Sequence, residues 1–430
     1  MTRKMKDSGI EWIGEIPGDW QLVPARYLFK SSKKIVGFKE NEYERLSLTM
    51  KGVLKKSKYN SEGLQPSNFN SYQILNINQL VFKLIDLQNV STSRVGISPY
   101  KGIVSPAYII IDRKNDNTNN KFYYYWYMSM YLNKVFNLLG DAGVRSNINS
   151  TELLDLKVPR TSIKEQDKIS CFLDKKTGQI EDIKSTIEEE IQTLEDYKKS
   201  VITEAVTKGL DKNVEMKDSG IEWIGKIPKH WETKAVKSIT TKSERGTSPS
   251  YVEDSTGSKV VNQATFSQGF FDISNIRFSN IPAKASKGLL EKNDVLIAST
   301  GGGVLGKTHY FVEDDEYVAD GHVTILRTNP LIQNSKILYY IFSVNFELIN
   351  GLLAKGSTNQ TELQSGWLKN FRVPCPPIEE QKQIADYLDK KTKSIDEAIE
   401  GKQKQLETLE EYKKSLIYEY VTGKKEVGEC

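Results

Sequence analysis

"VPRTSIKEQDKISCFLDKKTGQIEDIKS" begins at Val158, and "VPCPPIEEQKQIADYLDKKTKSIDEAIE" begins at Val373. Extended to Lys208 and Gly423, the two stretches align without a gap at an offset of 215, with 23 of 51 paired positions identical. A second repeat lies upstream of each. "MKDSGIEWIG" occupies Met5–Gly14 and recurs letter for letter at Met216–Gly225, an offset of 211. Chance does not produce such identities, so the chain carries an internal duplication. Each half runs from a tryptophan-bearing lead-in, through a variable block near 21–157 or 232–372, to a long charged segment.

The long segments read as helices. In the first, Ile169, Leu173, Ile180, Ile183, Ile187, Ile191, Leu194, Tyr197, Val201 and Ala205 recur at steps of three and four. In the second, Ile384, Leu388, Ile395, Leu406, Leu409, Tyr412 and Leu416 do the same. Ser162 and Glu165 have capping-box spacing, Pro376–Pro377 stands at the matching start, and Gly209 and Gly423 mark the ends. Each helix covers about 44 residues, or roughly 65 Å. One apolar stripe of that length needs a partner in water, and the nearest is its own repeat. Leu173, Ile180, Ile187, Leu194, Leu388, Ile395 and Leu409 are the expected seam positions. An antiparallel pair relates two blocks by an approximate two-fold axis, which matches the local symmetry of duplex DNA and makes the helices a ruler between half-sites. A plain structural spacer is compatible with the same pattern.

Composition narrows the class. The chain has 430 residues, 38% of them hydrophobic, and no apolar run long enough for a membrane span. Its first residues lack the apolar core of a secretory signal. Cys171, Cys375 and Cys430 are scattered, which suits a reducing cytoplasm and argues against a disulfide framework or a structural zinc site. His309 and His322 lack a third metal ligand nearby, so no metal is expected. The net charge of +4 is unevenly placed: residues 1–157 hold 22 Lys and Arg against 14 Asp and Glu. Residues 165–208 hold 7 against 11. A basic front suits nucleic acid.

Both blocks look mixed α/β. "QLVFKLI" (79–85), "AYIIID" (107–112), "DVLIAST" (294–300) and "HVTILR" (322–327) read as strands, followed by the aromatic helical stretches at 122–139 and 336–353. The clustered tyrosines could stack on bases, but helical spacing favours core packing. "GGGVLGKT" at Gly301–Thr308 matches the phosphate-loop pattern. The run after it suits a strand rather than the helix that such a loop must open. A glycine-rich hairpin whose Lys307 and backbone amides face a phosphate backbone is the preferred reading. In the first block Lys51, Lys55, Lys56 and Lys58 cluster, and Gln88, Asn89, Ser91, Thr92 and Arg94 can bond bases or phosphates. In the second, Arg245, Ser248, Tyr251, Asn262 and Gln263 can do likewise.

"GIEWIGEIPGDW" and "GIEWIGKIPKHW" resemble the lead-in of type I restriction–modification specificity subunits, as do the "VP…EQ…I…LDKKT…I" segments ending in "YKKSLI…VTG". The blocks look like that family's target recognition domains. The resemblance implies an α+β fold in which two mixed α/β recognition domains alternate with two long helices, paired as an antiparallel coiled coil. Limits follow: a first recognition domain at 1–157, a central helix at 158–210, a second recognition domain at 211–372, a C-terminal helix at 373–425 and a tail at 426–430. It also implies double-stranded DNA and two modification subunits as partners, joined in some complexes by two restriction subunits. S-adenosylmethionine, ATP and Mg2+ would then sit in the partners, with no cofactor or catalysis in this chain. For docking on the helices, Leu173, Asp174, Leu388 and Asp389 match the family's pattern. Two rivals stay open. A nucleotide hydrolase built on Gly301–Thr308 would bind ATP and lose it on Lys307→Ala, and a protein-only coiled-coil scaffold would show no preference for duplex.

Overall fold

The computed structural model describes residues 3–58, 68–85, 87, 94–139, 147–253, 257–301, 303–355 and 362–428. They form two compact units, Met1–Glu188 with Gln403–Cys430, and Glu189–Lys402. The long helices span Ile163–Lys208 and Ile378–Val421, so each gives one part to each unit. Compactness therefore divides the chain inside the helices. The sequence-drawn limits put the division at their starts.

In the first unit the lead-in folds as a hairpin, Met5–Asp7 against Glu15–Pro17. Gly9 and Gly14 take left-handed φ values of +67° and +70°, a conformation that costs any other residue. Asp7 Oδ1 accepts the Gly9 N–H at 2.9 Å, closing the turn. The second unit repeats this hairpin at Met216–Asp218 and Lys226–Pro228, with Gly220 and Gly225 at +70° and +67°. The identical letters thus encode an identical turn.

Each block is built on a four-stranded antiparallel sheet. In the first unit the order is Phe29–Ser31, Ile109–Arg113, Leu80–Phe82, Val95–Ile97. In the second it is Thr240–Arg245, Val323–Thr328, Val295–Ala298, Thr308–Tyr310. The order is the same although the block sequences share little, because a sheet needs apolar residues on its buried face and not particular ones. The blocks differ in what is added. The first carries the hairpin Leu46–Thr49 with Gly52–Lys55 and a pair, Gln73–Leu75 with Gly102–Val104. The second carries another four-stranded sheet, Tyr251–Val252, Arg277–Ser279, Ser258–Val261, Tyr317–Ala319, whose last pair is parallel.

An aromatic helix covers each main sheet. Asn119 caps Asn120–Leu132 by accepting the Lys121 and Phe122 N–H groups. Its Phe122, Tyr123, Trp126 and Tyr127 are buried with Ile169, Leu173 and Ile180 of the central helix in one core. The tyrosine cluster is core, as its spacing predicts. Asn334 caps Ser335–Val344 by accepting the Lys336 N–H, and Ile337, Leu338 and Ile341 pack with Ile384 and Leu388.

Within each unit the two helix segments run antiparallel. In the first, Glu181 meets Lys413 at 2.6 Å and Lys184 meets Glu410. In the second, Glu190 meets Lys402 at 2.6 Å and Lys198 meets Asp396 at 2.7 Å. Rising positions on one helix face falling positions on the other. Ile180, Ile187 and Ile395 are buried, and Leu194 and Leu409 are half-buried. Ile183, Tyr197 and Tyr412 are about half exposed and leave the expected stripe. Leu173 and Leu388 are fully buried against their own blocks, out of reach of any docking partner. Gly209 and Gly423 end the helices at φ +76° and +72°. A Cβ at Gly423 would lie 2.4 Å from Pro17.

Candidate nucleic-acid interface

Any reading surface must be held at a fixed angle, and the two halves hold theirs with the same bonds. Trp20 is fully buried and donates its indole N–H to Glu165 at 2.9 Å; Trp231 does the same to Glu380 at 3.0 Å. The capping box expected at Ser162 is therefore incomplete. Glu165 N–H reaches Ser162 Oγ at 3.3 Å, but the Glu165 carboxylate turns to Trp20, Arg3 and the Thr161 hydroxyl. One residue on, Gln166 Oε1 accepts the Asn119 N–H at 2.9 Å and Gln381 Oε1 accepts the Asn334 N–H at 2.7 Å. Tyr125 donates to Asp174 at 2.8 Å and Tyr340 to Asp389 at 2.7 Å, each carboxylate also taking a lysine, Lys121 or Lys336. Asp174 and Asp389 thus brace the block from the long helices while staying about a third exposed, at 37% and 36%. Burial raises the Tyr125 and Tyr340 phenols, and the neighbouring aspartates push them further the same way. Sequence reasoning missed these bonds, although Trp, Glu, Gln, Tyr and Asp all recur in both copies.

The first block presents Lys51, Lys55 and Lys56 to solvent on and beside the hairpin Leu46–Thr49 with Gly52–Lys55. Met50, beside Lys51 at its tip, is 61% exposed. Lys55 stands over Tyr100 at 5.4 Å and 3.8 Å from Glu44. Lys58 differs: its ammonium donates to the Glu40 carbonyl at 2.5 Å and covers Phe69. Arg94 does not belong to a surface. It is 2% exposed, with its guanidinium 6.0 Å from the Tyr131 ring centroid, because a long stem allows an arginine to pack inward. Gln88, Asn89, Ser91 and Thr92 lie outside the described residues.

In the second block, Gly301–Thr308 forms a hairpin turn between the strands Val295–Ala298 and Thr308–Tyr310. Gly301, Gly303 and Gly306 have φ values of +91°, +91° and +88°, so the glycines serve the turn. Three of the amides that a phosphate would need are used in inward bonds. Leu305 N–H reaches Gly301 O at 3.1 Å, Gly306 N–H reaches Ala298 O at 2.8 Å, and Lys307 N–H reaches Val304 O at 3.0 Å. Lys307 itself donates to the Ser267 carbonyl at 2.6 Å. No helix opens here, and these amides neither cradle a nucleotide nor face a DNA phosphate. The hairpin itself agrees with its sequence, while the role expected for its amides does not.

Four of the other predicted residues converge in part. Arg245 donates to the Ser299 and Leu363 carbonyls and pairs with Glu362 at 3.5 Å. Ser248 is exposed beside Gly321, and Gln263 Oε1 accepts from Thr300 Oγ1 at 3.2 Å. Asn262 is turned inward, capping the next turn and donating to the Asn275 carbonyl at 2.9 Å. The same rim holds Tyr251, whose hydroxyl donates to the buried Asp320 at 3.2 Å and whose ring lies 3.5 Å beneath the Arg277 guanidinium. Burial raises the Asp320 carboxyl, opposed by the His322 N–H that it accepts.

The histidines part company. His309 is stacked against Phe266 and Phe271, and burial lowers it to about 4. His322 is exposed on the rim. Among the described residues no three His, Cys, Asp or Glu side chains gather as a metal site, and no helix is long and apolar enough to cross a membrane.

A family profile described as type I restriction modification DNA specificity domain matches residues 27–193 and again 228–408. The putative type I restriction enzyme MjaX specificity subunit of Methanocaldococcus jannaschii is 25% identical, over 96% of this chain and 95% of its own length. The MjaVIII specificity subunit of the same organism is 24% identical over 75% of this chain and 74% of its own. A chain solved in work on complex assembly and conformational transition of the type I R-M system shares the fold. The overlay has a TM-score of 0.70, at 13% identity, covering 94% of this chain and 98% of that one.

Proposed function

The chain belongs to the type I restriction modification DNA specificity family, and we propose that it is the sequence-reading subunit of such a system. It recognises a bipartite, asymmetric DNA site and directs adenine methylation and cleavage by partner subunits. The observation that carries this reading is the duplicated mount. One set of bonds, Trp to Glu, backbone N–H to Gln, and Tyr to Asp, holds two blocks whose exposed faces differ. Duplication of the holder with divergence of what is held is what reading two different half-sites requires.

Catalysis lies with the partners: two modification subunits with S-adenosylmethionine, and two restriction subunits with ATP and Mg2+ where a nuclease arm exists. The inward hydrogen bonds of the Leu305, Gly306 and Lys307 N–H groups support this division, since among the described residues they take amides that a nucleotide phosphate would need. The antiparallel ladders support a spacer role for the helices. Phosphate contact falls to Lys51, Lys55 and Lys56, and contact with base edges to the rim of Ser248 and Gln263.

The test is to express the chain with its modification subunits and map methylated adenines across a genome. A split, asymmetric motif with a fixed gap is expected. A continuous motif, or methylation without sequence preference, contradicts the reading.

A further inference from the structure

Three segments of the second block bring Gln263, Thr300 and His322 into one hydrogen-bonded row. Thr300 Oγ1 lies 3.2 Å from Gln263 Oε1 and 2.9 Å from His322 Nδ1. A hydroxyl has one proton to give, so the row has a direction. If Thr300 donates to Gln263, it accepts from the Nδ1–H of a neutral His322. The outward groups are then the Gln263 amide N–H, a donor, and His322 Nε2, an acceptor. Turning the Gln263 amide about reverses every bond, and the outward groups become a carbonyl acceptor and an Nε2–H donor. In either direction the row offers one donor beside one acceptor.

The row is held at several points. His322 N–H donates to Asp320 Oδ1 at 2.8 Å, and its carbonyl accepts the Ser299 N–H at 2.8 Å. Asp320 is fixed in turn by the Tyr251 hydroxyl. A Cβ at Gly301 would stand 3.3 Å from Gln263 Nε2, so glycine there keeps the amide uncrowded. His322 is exposed and Gln263 half-buried, which puts the row at the surface on a rigid footing.

We propose that Gln263, Thr300 and His322 together read an adenine in the half-site bound by the second block. On a single major-groove base edge, adenine alone offers an acceptor (N7) next to a donor (N6–H2); guanine offers two acceptors. A row locked to one donor and one acceptor fits adenine and leaves a like pair facing guanine. Thr300 acts as a positioning residue that couples the other two. The proposal rests on the DNA-reading function above and names residues within it.

The experiment selects from a duplex library randomised across both half-sites, using the complex of this chain with its modification subunits. The wild-type complex is expected to return a split motif. Thr300→Val, which keeps shape and removes the shared proton, relaxes one adenine position in one half-site by about 5- to 100-fold and leaves the rest intact. His322→Ala, at an exposed site, relaxes that same position, and Thr300→Ser retains the preference. Replacing that adenine by 7-deazaadenine weakens wild-type binding and leaves the valine variant unchanged. A split motif that is identical in all the variants overturns the row and spares the function. So does relaxation at a G·C pair. The absence of any motif from the wild type overturns the function and the row with it.

Discussion

The mounts of the two halves share their Trp–Glu, Asn–Gln and Tyr–Asp bonds, whereas the faces that they hold have almost nothing in common. Trp20 and Trp231 reach Glu165 and Glu380 at 2.9 and 3.0 Å, and Tyr125 and Tyr340 reach Asp174 and Asp389 at 2.8 and 2.7 Å. The first face is a lysine hairpin; the second is a glycine turn beside a polar row. The contrast shows where the molecule tolerates change. A buried indole bonded to a carboxylate fixes an angle, while an exposed hairpin or turn can be rebuilt freely.

Removing the indole should break that equivalence most severely. Trp20→Ala and Trp231→Ala are each expected to cost about 3–5 kcal/mol in the unit concerned, measured by urea titration. A large loss at one and almost none at the other would mean that the mounts are not equivalent. Next comes the contrast between the faces. Replacing Lys51, Lys55 and Lys56 by Gln together should reduce the log–log salt slope of DNA binding by about 2.7, or about 0.9 for each contact. Lys307→Gln should leave the slope unchanged, because its ammonium already sits on the Ser267 carbonyl. A slope that responds to Lys307 and not to the three hairpin lysines would reverse the assignment of faces.

A smaller effect follows from the phenols. Tyr125→Phe and Tyr340→Phe should each cost about 0.5–1.5 kcal/mol, since Lys121 and Lys336 still partner the aspartates. Unequal losses at the two sites would again separate the halves. The smallest belongs to the helix ladders, where Glu181→Gln and Glu190→Gln should each cost below about 1 kcal/mol and less at high salt. Burial acts to raise the Glu181 carboxyl, but Lys413 and Lys184 outweigh it and hold it below the usual carboxylate range. The contribution of Glu181 is therefore complete above that range and fades as the pH falls through it towards the lower folded-state value. Thermal unfolding at stepped pH checks this, and a contribution that grew on acidification would contradict it.

Much of the frame was legible in the sequence because duplication wrote it twice. The helices and their glycine ends rest on local rules of periodicity and turn chemistry, whereas the lead-in showed itself only as a repeat. The bond from Trp20 to Glu165 was not legible, since it joins residues far apart in the chain and no local rule links them. The common sheet order was hidden for another reason: "IIIDR" and "VTILRT" fill the same place with different apolar residues. At the faces, residue type was a poor guide. Lys51 and Lys56 reach solvent, yet Arg94, also a cation, and Asn262, a polar amide, point inward. His322, weighed only as a metal ligand, stands on the rim because the buried Asp320 holds its backbone there.

The most direct test of identical mounts bearing different readers is to exchange what they bear. Residues 29–156 are replaced by a second copy of residues 240–371, whose Asn334 and Tyr340 take the places of Asn119 and Tyr125 in the first mount, and methylated adenines are mapped in cells that supply the modification subunits. The account predicts a new motif that uses the second half-site twice, with the original first half-site gone. Persistence of the original asymmetric motif would contradict it.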